Sequence, residues 1–239
     1  MVGYKWTPAL MLAVLFALHS TVAKADPLIG TAASTKPNAE GVIGTNTQTL
    51  TAGSELYENE TVRTGGRGVA DLVFVDRTNL SVGPASEVHL DKFVYDPAGS
   101  NGAVVLNATR GTFRFITGSQ DHRVYRVNTP YGTLGVRGTT VEGVIQPNII
   151  GKAPKDACIA KFRLSEGAGL TFTRPNGQTY ELTEIGTCIC VHPDGTVTTD
   201  TCPPIYIAGA GPPGPPPPPP TGGGGGGCIE TPTMSCPTR

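Results

Sequence analysis

Aromatic side chains are scarce in this chain of 239 residues, at 6%, and no stretch after Asp26 keeps an apolar 3.6-residue period over three turns. These two shortages exclude a helical bundle. Charge is thin as well: 15% of residues carry it, 18 basic against 19 acidic. No basic stripe runs along the chain, so the electrostatic footprint of a nucleic-acid binder is missing. Cysteine does not occur before Cys158. Long apolar runs are wanting too, because the best of them, Ala9 to Leu18, is about half of the ~20 residues that span a bilayer. Catalytic signatures are equally few. There is no Gly-x-Ser-x-Gly elbow, no Walker phosphate loop and no His-Glu-x-x-His helix. Gly65-Gly66-Arg67-Gly68 is only superficially a phosphate cradle, since no helix pattern follows it. Neither an enzyme nor a cofactor or metal is expected.

What is present begins with an export signal. Lys5 precedes the Ala9 to Leu18 run, and Ala23-Lys24-Ala25 places small residues where a signal peptidase cuts. Residues 1–25 are therefore expected to be a cleaved signal peptide, with a mature terminus at Asp26. The residue at that point is Asp26 and not cysteine, so a lipid anchor is not expected. The destination is the periplasm or the exterior of a Gram-negative bacterium, without stable membrane insertion after cleavage. Removal of Lys5 and Lys24 leaves 16 basic against 19 acidic side chains.

Glycine and proline are plentiful, at 32 and 22 residues, and between them runs a period-two pattern. Ala70, Leu72 and Phe74 alternate with Asp71, Val73 and Val75, and an Asp76-Arg77-Thr78-Asn79 turn leads to Leu80 and Val82. Val88 and Leu90 flank His89, which points to a solvated outward position on a half-buried strand. His122 falls in a polar turn beside Asp121. Further short strands are expected at 104–106, 112–116 and 124–127. Asn176-Gly177 sits between two more alternating runs, Leu170 to Thr173 and Gln178 to Leu182, which is a hairpin signal. The rhythm predicts an all-β fold: a β-sandwich, a jelly roll or a short β-solenoid.

Five blocks in fixed order give the pattern a family resemblance. They are Thr61-Val62-Arg63-Thr64-Gly65, Ala70 to Asp76, Leu80 to Val88, Arg110-Gly111-Thr112-Phe113-Arg114-Phe115-Ile116, and Asn128 to Thr139 with its Arg137-Gly138-Thr139 ending. Together with Phe93-Val94-Tyr95-Asp96 they resemble the FecR domain, the periplasmic module of bacterial signal regulators of the iron-dicitrate type. The resemblance covers residues 40–145. In those regulators a cytoplasmic segment that handles a sigma factor and a membrane-spanning helix come first. This sequence shows neither, so direct contact with a sigma factor is not expected. The resemblance implies an exported β module that contacts other proteins. Arg63, Arg114 and Arg137 lie in its blocks, and their rigid donor forks either tie turns together within the β stack or form one face for a partner's carboxylates.

All six cysteines, Cys158, Cys188, Cys190, Cys202, Cys228 and Cys236, follow the FecR-like part, and export favours bridges. The signal Asp194-Gly195 with a three-residue loop from Asp194 to Thr196 sets Cys188 opposite Cys202. Cys190 is then left for Cys158, and Cys228 for Cys236. A two-residue turn shifts the register and puts Thr201 opposite Cys188. In a competing reading Cys188, Cys190 and His192, at i, i+2 and i+4 on one strand face, hold a metal with Cys202 or Cys158.

Past Ile207 the pattern stops. Pro215 to Pro220 is a stiff polyproline rod and Gly222 to Gly227 a loose coil. The chain is accordingly divided into a signal peptide (1–25), an N-terminal linker (26–39), a FecR-like domain (40–145), a cysteine-containing β extension (146–207) and a disordered Pro/Gly-rich tail (208–239). The expected function is non-catalytic protein binding at the cell envelope, as a sensor or scaffold subunit. The alternative is a structural protein that displays its C-terminal loop at the surface.

Overall fold

The computed structural model describes residues 26–97, 101–147 and 151–207. The expected signal peptide, the Pro/Gly tail and the cysteines Cys228 and Cys236 lie outside the described residues. Strands account for most of what is described, and no α-helix occurs there. In chain order they are β1 (Leu28–Lys36), β2 (Ala39–Ile43), β3 (Asn46–Thr49), β4 (Glu55–Tyr57), β5 (Thr61–Thr64), β6 (Val69–Phe74), β7 (Asn79–Val82) and β8 (Glu87–Val94). They continue with β9 (Ala103–Ile116), β10 (Tyr125–Thr129), β11 (Gly132–Ile145), β12 (Ala160–Thr173), β13 (Thr179–Leu182), β14 (Thr187–Val191) and β15 (Val197–Thr201).

All fifteen belong to one hydrogen-bonded sheet, which does not close. The sheet folds over on itself. Strands β9, β11 and β12 are 14 residues each, and each changes neighbours halfway. The first half of β9 pairs with β8 and, in parallel, with β10; its second half pairs with β7 and β11. Strand β12 runs beside β14 at its start and beside β13 at its end. Phe162 and Phe172 lie on that one strand, where a straight run would hold them about 33 Å apart, yet their ring centroids are 5.5 Å apart. Two facing layers result, so the architecture is a sandwich made from a single sheet. Phe74 of β6 stacks on Phe93 of β8 at 5.5 Å, and Phe115 of β9 meets the edge of Tyr125 of β10 at 6.0 Å. These contacts join the layer of β1, β4, β6, β7, β14 and β15 to that of β2, β3, β5, β8, β10 and β13.

The bends need residues without a side chain. Gly111 has φ 89° and Gly167 φ 95°, a region that disfavours a Cβ. Space forbids one too: a Cβ on Gly111 would lie 2.4 Å from the Cα of Ser86, and one on Gly167 would lie 2.2 Å from the Gly138 carbonyl oxygen. In the core, β6 departs from the expected alternation. Ala70, Leu72 and Phe74 face the core cluster, but Val69, Asp71 and Val73 are buried as well.

The turn after β6 is fastened by Asp76, which is fully buried. Its Oδ1 accepts from the Thr78 N–H at 2.8 Å, and its Oδ2 accepts from Thr78 Oγ1 at 2.9 Å, Gln120 Nε2 at 3.1 Å and the Tyr125 hydroxyl at 3.0 Å. Burial, reinforced by the charge of Asp76, pushes the Tyr125 hydroxyl well above the ordinary phenol range. The knot ties the β6–β7 turn of one layer to the segment entering β10 in the other.

One expected boundary is corrected. Residues 26–39 are not a linker, because 28–36 form β1, which pairs with β4 and β6 and buries Ile29 and Ala32 in the core. Register shifts between Leu28 and Gly30 and between Ala32 and Ser34 put core residues three apart. Such bulges erase the period-two signal. The segment 146–207 adds β12 to β15 to the same sheet, with β12 paired along almost the whole of β11.

Two outcomes follow. Asp76→Ala strands several buried donors at once, and its urea unfolding should show a loss of about 3 kcal/mol or more, whereas Tyr125→Phe should cost about 1 kcal/mol. Glu60 is also fully buried. Burial raises its carboxyl above the ordinary value, opposed by the Tyr57 N–H and the Gln48 side chain. Stability from this group is therefore complete below the unfolded value of about 4.3 and is lost as pH rises through the higher folded value. Glu60→Gln should match the wild type in acid and exceed it at neutral pH; equal urea midpoints at both would contradict this.

Candidate interaction surface

Alternation along a strand sends every second side chain outward. On the outer face of the layer containing β6 and β14, those residues form one row across six strands. Asp71 (β6) stands opposite Ser81 (β7), Ser81 opposite Arg114 (β9), Arg114 opposite Glu142 (β11), Glu142 opposite Arg163 (β12) and Arg163 opposite Cys188 (β14). Their neighbours Leu80, Phe113, Val141, Phe162 and Ile189 point into the core. Asp71 accepts from Ser34 Oγ at 2.7 Å and Ser81 Oγ at 2.6 Å.

Such a row is normally washed by solvent, but here its middle is covered. The side chains of Arg163 and Glu142 are 13% and 12% exposed, and Arg163 Nη1 lies 3.3 Å from Glu142 Oε2. The cover is the chain's own strap, residues 202–207. Arg163 Nε donates to the Cys202 carbonyl at 3.2 Å, and the Ile205 N–H donates to Glu142 Oε2 at 2.9 Å. Ile207 is buried at the far end, where a Cβ on Gly83 would come within 3.0 Å of its Cγ2. Between these points Pro203 and Pro204 are exposed, and Tyr206 is 84% exposed. The charged pair thus grips an extended peptide by its main chain through charge-assisted bonds.

The strap is rooted by a disulfide. Cys188 is bonded to Cys202 and Cys158 to Cys190, with Cα separations of 6.0 and 5.3 Å, within the usual bridging range. These are the expected partners, reached through a different register. The loop is Pro193 to Gly195, since the His192 N–H bonds to the Thr196 carbonyl, so Cys188 faces Asp200 and reaches Cys202 diagonally. The metal reading loses its thiolates, because all four sulfurs are bonded to one another. His192 instead places Nδ1 3.2 Å from the Ala157 carbonyl and Nε2 2.9 Å from Thr198 Oγ1.

The three arginines picked from sequence do not share a face. Arg63 of β5 lies in the opposite layer, 3.1 Å from Glu87, which Arg110 also approaches at 3.2 Å. Arg137 is exposed at the bend of β11, 3.8 Å from Glu181. Arg114 alone joins the row. His89 Nδ1 is 3.0 Å from Thr61 Oγ1 in the opposite layer. Glu142 and Arg163 were missed, although each is a lone charge inside an apolar alternation, Val141-Glu142-Gly143 and Phe162-Arg163-Leu164. That pattern signals an outward position but names no partner. Near the strap's root, Glu181, Glu184 and Asp200 line a shallow acidic groove of 330 Å³.

Removing one member of a buried pair leaves the other charge uncompensated. Arg163→Ala should lower unfolding stability by about 3 kcal/mol, while Arg63→Ala and Arg137→Ala, whose partners are solvated, should each cost less than about 1 kcal/mol. Comparable losses in all three by urea titration would contradict this ranking.

Residues 60–149 match the family model described as FecR protein. The match starts at residue 60 rather than 40, so β1 to β4 precede it. Two crystal structures of a candidate anti-sigma factor from Parabacteroides distasonis ATCC 8503 are similar in fold, with TM-scores of 0.44 and identities of 11% and 10%. In each case the similarity covers 59% of this chain and 59% of the other. No curated protein matches the chain. Among the described residues no helix is long and apolar enough to cross a membrane. The segment that matches the FecR family model runs from β5 to β11, and β12 to β15 extend the same sheet beyond it.

Proposed function

We propose that this chain is a non-catalytic protein-binding module of the bacterial cell envelope, acting as a sensor or scaffold subunit. The observation that carries the proposal is the grip of Glu142 and Arg163 on the main chain of residues 202–207. Main-chain hydrogen bonds to an extended segment, with a pocket for one side chain, are a recurring way for a protein to hold a peptide. The FecR match supports a role in regulation, and the export signal and the disulfides support the envelope as its place.

The proposal is tested with the mature full chain carrying a photo-crosslinking residue at Lys161 or Asp200, on the row's face, or at Thr47, on β3 in the other layer. In envelope extract the first two positions should give a saturable cross-link to a discrete protein, competed away by excess unlabelled chain. Cross-links that are no stronger than at Thr47, or that resist competition, would refute a specific binding role for this face. Surface display would instead give no saturable partner at any position.

A further inference from the structure

We infer that the seat under residues 203–207 is a docking site for an extended segment of a partner protein, and that the chain's own strap is its resident competitor. The inference rests on the protein-binding role proposed above and adds the partner's chemistry. The seat makes three demands. The first, a carbonyl for Arg163 Nε, is met by the bridged root itself, since Cys202 supplies it at 3.2 Å and stays in place; an incoming segment has to supply the N–H for Glu142 Oε2, as Ile205 does at 2.9 Å. It also needs an aliphatic side chain two residues further, as Ile207 supplies against Gly83. Of the two that the segment must meet, the N–H is a main-chain group. Any extended segment provides it unless proline stands at the donor position.

The strap is held differently from the strands around it. Among the described residues no ladder runs along it, and the contacts of Cys202, Ile205 and Ile207 fix it with exposed residues between, so its opening costs less than that of a paired strand. The seat also survives its departure. Arg163 Nη1 still donates to Ser165 Oγ at 2.8 Å and to Glu142, which leaves a hydrogen-bonded pair ready for another segment.

The geometry favours a different protein over exchange between copies. The Cys188–Cys202 bridge and the Cys202 N–H bond to the Gly186 carbonyl fix the strap's root in its own chain. Five residues lie from Pro203 to Ile207, a reach of at most about 18 Å. A second copy would have to bring its own bridged edge against this one to lend its strap. A partner with a loose segment that carries an N–H two residues before Ile, Leu or Val meets no such restriction.

The probe is a fluorescein-labelled peptide of residues 201–207 with serine in place of cysteine, titrated by anisotropy into the mature full chain and into its Ile207→Asp form. A strap that occupies the seat most of the time reduces apparent affinity by the unoccupied fraction, so the Ile207→Asp chain should bind the probe about tenfold or more tighter than the wild type. A probe with proline at the Ile205 position should not bind it. Hydrogen exchange at the Ile205 amide should be protected in the wild type and fast in Ile207→Asp. Should Ile207→Asp fail to fold by circular dichroism, Ile205→Pro in the chain removes the donor and serves instead. Equal affinity of both chains, absence of binding by the released chain, indifference to the proline or a doubled mass on light scattering would each overturn the inference. Competed cross-links from Lys161 would meanwhile leave the protein-binding role intact, so the two failures are distinguishable.

Discussion

Everything in this molecule depends on one sheet being folded back on itself along strands that belong to both layers. Three strands of 14 residues cannot stay straight and still bury their apolar faces in a chain of this size. Each turns at a glycine with positive φ: Gly111, Gly138 and Gly167. The bends of β11 and β12 lie side by side, with Gly167 packed on the Gly138 carbonyl, while Gly111 of β9 packs on Ser86. A side chain at any one of them would reach its neighbours before it reached solvent. The fold line thus sets where one layer ends and the other begins, and with it which residues of β9, β11 and β12 share an outer face.

Apolar packing alone does not fix how the two layers register, because it is not directional. Asp76 supplies direction. Its four accepted hydrogen bonds come from both layers, and a fully buried carboxylate is tolerated only when so satisfied. At the other end of the sheet the disulfides do similar work. They tie the β14–β15 hairpin to the segment before β12 and to the strap, where β15 is exposed along most of its length and too short to bury an apolar face.

The outer face then acquires a property its sequence does not advertise. Charges of both signs, placed at outward positions of successive strands, line up as a row. Part of that row is removed from water by a segment that contributes main-chain groups and one isoleucine. Burial makes the Glu142–Arg163 pair costly to break and makes the groups it grips specific in geometry rather than in sequence.

The sequence by itself determined the local features, because each depends on neighbours in the chain. Period two announced β6, β7 and β12, Asn176-Gly177 announced the β12–β13 hairpin, and the order of five blocks announced the FecR match at residues 60–149. Cysteine spacing found Cys158–Cys190 and Cys188–Cys202 even though the loop was placed one residue late, since a diagonal pair in a hairpin is still within bridging reach. Strand β1 stayed hidden because two bulges scramble its alternation. Three features only the tertiary structure decided: the separation of Arg63 and Arg137 from Arg114, the grouping of Arg114 with Glu142 and Arg163, and the seat for Ile205, which meets Glu142 across 63 residues of chain. Outward-facing residues on different strands become neighbours only through register and the fold line, and both are set by how the two layers meet rather than by any stretch of sequence.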